Sequence, residues 1–244
     1  DSVYQQPRFR LGGDRALYIE VGDVISPQVN RRVKGLLDAI DEAAIEGVQA
    51  LAPTYRSILV YYDPLKIPLE ELKQRLSDLG RALPDASSSE ARIFEIPTLY
   101  GGEFGPDLDF VASHTGLSPE EVIRIHAGTD YLVYMVGFNP GFPYLGGMPE
   151  NIATPRLETP RVKIPAGSVG IAEAQTGIYP LESPGGWRLI GRSPLKMFDP
   201  SRDPPALVEA GDLVRFVSID EARYQDIQGE VEAGRYQVTI HWAV

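Results

Sequence analysis

The stretch between Gly137 and Pro205 constrains the fold more than any other part of the chain. It holds ten glycines and twelve prolines, close to half of the 24 glycines and 21 prolines among the 244 residues. Proline lacks the amide donor that a helix interior needs, and glycine loses more backbone entropy on folding than any other residue. The pattern therefore excludes long helices in this stretch and predicts short strands joined by tight turns.

Residues 1–84 follow a different pattern, which predicts a small α+β domain. After a first strand, Ser26 and Pro27 form an N-cap and first-turn pair, and apolar residues then recur at helical spacing as far as Gly47. Two strand-like stretches and a second amphipathic helix, from about Pro68, follow. The resulting order, β-α-β-β-α, is typical of a compact α+β sandwich.

Residues 85–90 are small and polar without periodicity, and they are predicted to be an exposed linker. Residues 91–244 form the predicted second domain, in which many short strands alternate with a few short helices. One of those helices has a predicted capping box, formed by Ser118 and Glu121. Many short strands with few helices favour a closed β-barrel. The predicted fold class is therefore an α+β N-terminal domain followed by a β-barrel C-terminal domain.

Composition excludes several classes of protein. The chain has 23 Lys and Arg against 34 Asp and Glu, a formal net charge of −11, which repels nucleic acid and anionic membrane surfaces. We therefore expect neither nucleic acid nor a membrane as a partner. Apolar stretches of membrane-spanning length are also missing from the sequence. With 0 Cys, disulfides, thiolate metal sites and a cysteine nucleophile are impossible, which favours a cytoplasmic protein. No metal site is predicted.

Common catalytic motifs are absent from the sequence. It lacks the phosphate-binding Gly-rich loop, the dinucleotide fingerprint, the Gly-x-Ser-x-Gly elbow and the His-Glu-x-x-His zinc motif. A self-contained NTPase, dehydrogenase, esterase or zinc protease is therefore disfavoured. Ser193 and Lys196 match the Ser-x-x-Lys nucleophile pattern, but Pro194 argues against the helix that this pattern requires.

Among the three histidines, His126 is the candidate for acid–base chemistry. It stands at the end of a short predicted helix, just before the strand that leads into Gly137. Imidazole titrates near neutrality, so a histidine at the mouth of a site can move a proton. The alternative is a structural histidine that is stabilised by the dipole at the helix C-terminus.

Two turns offer candidate ligand-binding residues. In each, glycine allows a ligand to approach the backbone and aromatic rings exclude solvent; the alternative is a structural turn with packed rings. The candidates are Gly141, Phe142 and Tyr144 in the first turn, and Gly185, Gly186 and Trp187 in the second.

Arg156 and Arg161 are the candidate anion-binding residues. Each follows a proline, so two guanidinium groups stand at stiff backbone positions, as a clamp for a carboxylate or phosphate requires. Residues 156–192 carry a local net charge of +2 in an otherwise acidic chain, and Lys163 belongs to the same stretch. The alternative is that these are solvated surface charges.

These motifs, taken in order, resemble the family of the 5-oxoprolinase B subunit. The same family is called allophanate hydrolase subunit 1 and includes the sporulation kinase inhibitor KipI. The matching segments cover essentially the whole chain and are, besides His126, the segments 47–57, 100–108, 137–145, 155–156, 160–161, 165–169, 176–180, 183–187 and 191–194. Ser193 departs from the threonine expected at that position.

The resemblance implies a cyclophilin-like barrel in the C-terminal domain and partners for the chain. Members act with a second barrel protein, the C subunit of 5-oxoprolinase, which is similar to allophanate hydrolase subunit 2, and with the A subunit. Together they open the lactam of 5-oxoproline to L-glutamate using ATP, with Mg²⁺. ATP is implied for the complex, since no nucleotide motif is evident in this chain. In this hypothesis Arg156 and Arg161 hold the substrate carboxylate or a phosphate, and His126 and Arg161 act in catalysis.

Two alternatives have the same motifs. One is a KipI-like inhibitor of a sensor histidine kinase, and the other is the carboxyltransferase, or allophanate hydrolase subunit 1, of a urea-degrading system. A peptidyl-prolyl isomerase is a weaker interpretation, because fold does not fix function.

Overall fold

The structure is a computed structural model that describes residues 3–83, 91–137 and 139–242. The predicted linker at residues 85–90 and the motif residue Phe138 lie outside the described residues. By its internal contacts the chain divides into two compact units, Asp1–Ser89 and Glu90–Val244.

The first unit contains a four-stranded antiparallel sheet and two helices. Its elements are β1 (Val3–Leu11), β2 (Ala16–Gly22), α1 (Pro27–Ala43), β3 (Val48–Pro53), β4 (Ser57–Tyr62) and α2 (Leu69–Ala82). The order of the strands in the sheet is β1-β2-β4-β3.

Helix α1 begins where its capping signals predict. The Ser26 side chain accepts a hydrogen bond from the Val29 amide, and Pro27 occupies the first turn. The helix ends earlier than predicted, at Ala43 rather than near Gly47, because the next residue, Ala44, adopts a left-handed conformation with φ 43°. The apolar faces of α1 and α2 pack on one face of the sheet and form a core around Leu36, Ile58 and other fully buried residues.

Strand β1 is absent from the sequence-based prediction. Its sequence mixes Gln and Arg with apolar residues without regular alternation, and all of its residues are exposed or half-buried because it lies at an edge of the sheet. An edge strand with one solvated face leaves a weak hydrophobic pattern.

The second unit carries the remaining elements. They are β5 (Arg92–Tyr100), α3 (Leu108–Thr115), α4 (Pro119–Ala127), β6 (Asp130–Val136), β7 (Pro143–Gly146), β8 (Arg161–Ile164), β9 (Ser168–Ala172), β10 (Gln175–Ile178), β11 (Ser183–Gly185), β12 (Arg188–Arg192), β13 (Leu213–Ser218), α5 (Glu221–Glu232) and β14 (Ile240–Trp242).

Seven of these strands form a closed β-barrel, which confirms the predicted barrel. The order is β12-β9-β10-β7-β6-β13-β5, and β5 pairs back onto β12. All pairings are antiparallel except β5 with β13. Strand β14 adds to the free part of the β5 edge, and β8 and β11 form a separate two-stranded ribbon.

The barrel interior is a packed apolar core that includes Tyr131, Val169, Ile171 and Phe216. Helices α3 and α4 contribute to it, and the capping box of α4 is formed by Ser118 and Glu121 as predicted. In the described part of the chain, none of the helices combines the length and the apolar character needed to cross a bilayer.

Candidate active site

His126 is fully buried at the end of α4, with both ring nitrogens hydrogen-bonded. Nδ1 lies 2.7 Å from the Tyr100 hydroxyl, and Nε2 lies 2.8 Å from Oγ1 of Thr176. The Thr176 hydroxyl donates to the Gly170 carbonyl at 3.0 Å. Its oxygen therefore accepts a hydrogen bond from Nε2, which leaves Nδ1 to accept from Tyr100.

This burial contradicts the expected position of His126 at the mouth of a site. Its ring packs 4.4 Å from the Phe216 ring and 5.4 Å from the Tyr131 ring, measured between centroids. Burial lowers its pKa to about 3, so the imidazole is neutral near pH 7. The sequence pattern marked a helix end correctly, but it could not show that this end faces the barrel core.

Four aromatic residues form a cluster on the outer face of the barrel wall. Within β9, Val169 and Ile171 enter the barrel core, while Ala172, on the opposite face, packs in this second cluster. The rings of the cluster meet edge-on at 5.1–6.3 Å. We call it the aromatic cluster; it consists of Phe142, Tyr144, Tyr179 and Trp187.

Two glycines of the barrel wall make room for this cluster. A Cβ at Gly177 would lie 3.0 Å from Cζ3 of Trp187 and 3.2 Å from Cζ of Phe142. A Cβ at Gly170 would lie 3.2 Å from Cβ of Trp187. The structure thus brings together the three aromatic residues that the two turns predicted, and adds Tyr179.

The predicted ligand-binding glycines have other neighbours. A Cβ at Gly141 would lie 2.7 Å from Cβ of Phe198, and Gly141 has φ +78°, so the backbone of this buried turn requires a glycine. A Cβ at Gly185 would lie 2.4 Å from the Tyr179 hydroxyl oxygen, beside the aromatic cluster. Gly186 is half-buried and its carbonyl accepts the Leu157 amide at 2.7 Å.

Arg161 is held by Asp107 through two hydrogen bonds. Nη1 and Nη2 of Arg161 each donate to one carboxylate oxygen of Asp107 at 2.9 Å. Asp107 is buried and also accepts the Leu189 amide at 2.7 Å. This bidentate pair leaves Arg161 less able to clamp an external anion than its sequence position suggested.

Arg156 is exposed and lies close to the aromatic cluster. Burial raises the pKa of Tyr144, and the positive charge of Arg156 partly opposes that rise. Burial likewise raises the pKa of Tyr179, against a backbone hydrogen bond with Trp187 and the charges of Arg156 and Arg161. Within the residues that the structure describes, Arg156 forms no salt bridge, so its guanidinium is available to an anion.

The other basic residues of the stretch are engaged with protein groups. Lys163 pairs with Glu182 at 2.9 Å. Arg188 lies over the Phe110 ring at 3.6 Å, and Arg192 lies over the Phe104 ring at 5.2 Å. Of the local positive charge predicted from the sequence, Arg156 is therefore the member best placed to meet a ligand.

Asp107 and Tyr179 are candidate site residues that the sequence reasoning missed. Asp107 directly precedes α3, and its local context indicates only a helix start. Tyr179 follows β10 before a proline and resembles an ordinary turn residue. Their partners Arg161 and Gly185 are distant in the chain or lack a side chain, so local spacing carried no signal for either contact.

The acidic and histidine side chains do not converge on a metal site in residues 3–83, 91–137 and 139–242. That part of the chain has no group of three or more His, Asp or Glu side chains placed to hold a metal ion.

The barrel, its outer aromatic cluster and the Arg161–Asp107 pair occur in a chain that matches a known family. A model described as "Carboxyltransferase domain, subdomain C and D" matches residues 7–208. The fold is shared with the urea carboxylase of Kluyveromyces lactis, with a TM-score of 0.78 at 19% identity over 99% of this chain and 25% of that one. This likeness shows the fold alone.

More similar relatives narrow the family. The 5-oxoprolinase B subunit of Bacillus subtilis is 46% identical over 89% of this chain and 95% of its own length. That of Escherichia coli O157:H7 is 41% identical over 87% of this chain and 96% of its own length. A conserved uncharacterised protein from Pyrococcus horikoshii is 51% identical, with a TM-score of 0.54, over 89% of this chain and 100% of that one. The chain belongs to the family of 5-oxoprolinase B subunits.

Proposed function

We propose that this chain is the B subunit of an ATP-dependent 5-oxoprolinase. It acts with a second barrel protein, the C subunit, and with the A subunit to open the lactam of 5-oxoproline to L-glutamate. The observation that carries the proposal is the near full-length similarity to proteins named as 5-oxoprolinase B subunits, at 46% and 41% identity. The proposal includes a cytoplasmic complex and a barrel of the cyclophilin type.

The surface around Arg156 supports binding of such a substrate. 5-Oxoproline combines one carboxylate with a small lactam ring, whose two methylene carbons are its apolar part. A guanidinium binds a carboxylate through charge-assisted hydrogen bonds, and aromatic side chains pack against apolar groups. Arg156, whose charge acts on the Tyr144 hydroxyl, supplies the guanidinium, and the aromatic cluster supplies the rings. We therefore assign the carboxylate to Arg156, in preference to Arg161.

Arg161 and His126 enter the proposal as positioning residues. Arg161 ties β8 to Asp107 before α3, and its Nη1 also lies 3.5 Å from the Trp187 carbonyl. His126 ties the end of α4 to β5 and β10 through Tyr100 and Thr176. Both hold the barrel wall on which the aromatic cluster rests.

The described residues offer no cluster of three or more His, Asp or Glu side chains that could hold the Mg²⁺ of a nucleotide. Asp107, the buried carboxylate beside the site, is already bonded to Arg161 and to the Leu189 amide. A lactam carbonyl is resonance-stabilised and needs activation, which ATP would supply. We assign ATP binding and the activating chemistry to the assembled complex, to which this chain contributes a substrate-binding surface.

Replacement of Arg156 by Gln tests the proposal. In the complex co-expressed with the A and C subunits, R156Q should raise the KM for 5-oxoproline about tenfold to a hundredfold, because a charged hydrogen-bonded contact contributes about 1.5–3 kcal/mol. L-Glutamate formation at varied 5-oxoproline is the measurement.

Lys163→Gln is the matched control, since it removes the same charge from the same stretch but only breaks the exposed pair with Glu182. An unchanged KM in R156Q would remove Arg156 from the site. If the wild-type complex forms no L-glutamate from 5-oxoproline and ATP, the proposed function itself fails, and inhibition of a sensor histidine kinase becomes the next activity to assay.

A further inference from the structure

The first unit contains a groove between the end of α1 and the edge strand β3. Its volume is about 730 Å³. We call it the edge groove; its lining residues all fall within the range 37–53. Its larger apolar lining residues are Leu37, Ile40, Ile45, Val48 and Leu51, and its charged ones are Asp38, Asp41 and Glu46.

Strand β3 offers free main-chain groups along this groove. In the described residues β3 pairs with β4 alone and so ends the sheet. The Thr54 amide donates to the Ser57 carbonyl, so Ser57 directs its main-chain groups toward β3. Alternation then directs Leu59 and Tyr61 the same way, toward their register partners Ala52 and Ala50.

Leu51, between those two alanines, directs its amide and carbonyl away from β4. A strand edge of this kind can accept another extended segment through main-chain hydrogen bonds. The available edge is short, because the register shifts between Val48 and Ala50 and because Pro53 has no amide. One added strand of a few residues would fill it.

The negative charge of the groove favours an added strand that carries basic side chains. Asp38, Asp41 and Glu46 are its acidic lining residues, and none of the lining residues is basic. Lys34 pairs with Asp38 at 3.1 Å, which leaves Asp41 and Glu46 as the acidic groups to be met. Lysine or arginine side chains on alternate positions of an added strand would all point to the same face, as two nearby carboxylates require.

We propose that the edge groove receives an extended, lysine- or arginine-bearing segment of a partner polypeptide, which pairs with the main chain of Leu51 and directs its basic side chains to Asp41 and Glu46. A second copy of this chain is the poorer occupant. Pairing two β3 edges would place the two acidic grooves side by side, in a chain whose net charge is −11.

A short synthetic peptide provides the probe. An acetylated and amidated octapeptide of alternating Lys and Val is titrated into the ¹⁵N-labelled full chain. Shift changes at residues 48–53 and at the end of α1, with slowed hydrogen exchange of the Leu51 amide, are expected. The same peptide with Glu in place of Lys should produce none of these changes.

Charge reversal in the groove separates the proposal from general attraction to an acidic protein. The double variant Asp41→Lys, Glu46→Lys should weaken peptide binding at least about tenfold. The control Asp23→Lys, Glu42→Lys makes the same change in net charge at exposed residues outside the groove and should bind like the wild type. Leu51→Pro removes the edge amide and should weaken peptide binding in the same way.

Equal loss of binding in the two double variants would overturn the proposal, as would binding that leaves Leu51 unprotected. Protection of Leu51 that grows with chain concentration in the absence of peptide would also overturn it, because a second copy would then be the occupant. Because the probe needs no catalysis, these outcomes are independent of whether the complex acts on 5-oxoproline.

Discussion

At the scale of single residues, His126 shows how a polar group can belong to an apolar core. Its two ring nitrogens form hydrogen bonds with Tyr100 and Thr176, and the Thr176 hydroxyl in turn donates to the Gly170 carbonyl. This pattern fixes one neutral tautomer, since a second proton on the ring would face the donor of Tyr100. The charged form is excluded by burial, and the network then explains how a histidine is accommodated there.

The buried neutral state makes the protein sensitive to acid. The pKa of His126 is about 3 in the folded chain and about 6.5 when it is unfolded, so the unfolded state binds more protons between these values. Its contribution to stability is complete above pH 6.5 and is lost as the pH falls toward 3, by up to about 1.4 kcal/mol per pH unit.

Chemical denaturation at a series of pH values measures this slope. His126→Gln should flatten the slope between pH 6.5 and 3, whatever its effect on stability at pH 7. A slope unaltered by H126Q would show that His126 is already protonated in the folded protein.

At the scale of elements, the turn between β6 and β7 is held both by its own hydrogen bonds and by contact with a distant part of the chain. The Gly137 amide donates to the Phe142 carbonyl, and the Phe142 amide donates to the Asn139 carbonyl. Gly141 then lies against Met197 and Phe198, far along the chain. The aromatic Phe142 is thereby directed into the aromatic cluster, and the glycine is required for the backbone of the turn.

Gly141→Ala should therefore reduce stability and leave substrate binding unchanged. A left-handed alanine costs about 1–2 kcal/mol, and the contact with Phe198 adds to this. Gly147→Ala is the control, because Gly147 also has a positive φ but nothing lies within 4 Å of a Cβ there. Denaturant midpoints should fall more for G141A than for G147A; a raised KM for 5-oxoproline without loss of stability would return Gly141 to the ligand-binding residues.

The sequence predicts elements with local signals better than it predicts contacts between them. Ser26 and Ser118 predict the starts of their helices correctly, because a capping hydrogen bond joins residues only three positions apart and so leaves a local sequence signal. In the stretch Gly137–Pro205, the glycines and prolines of the turns likewise predict where each short strand begins and ends. The Arg161–Asp107 pair joins residues 54 positions apart, and no periodicity refers to such a contact. Local turn signals likewise identified Phe142, Tyr144 and Trp187, but they could not show that these rings meet on the outer face of the barrel.

At the scale of the whole molecule, the two units have separate apolar cores. The core of the first unit is formed by residues from Leu17 to Leu76, and that of the barrel by residues from Phe94 to Ile227. Each of these cores is formed by residues of one unit. A unit with its own core contains the main source of its own stability.

Fragments test this separation directly. We expect residues 1–89 and residues 90–244, expressed separately, each to give a dispersed ¹H–¹⁵N spectrum and a cooperative thermal transition. A collapsed, undispersed spectrum for either fragment would contradict the view that its core suffices for folding.

The closure of the barrel links fold and site in one further respect. Strands β5 and β12 pair over two residues only, at Leu99 and Tyr100, and beyond them the Asp107 amide and carboxylate both bond to Leu189. Arg161 holds that carboxylate in place. The closure of the barrel between β5 and β12 thus depends partly on a side chain. A substitution of Arg161 or Asp107 that adapts the protein to a new substrate would therefore also change the stability of the barrel.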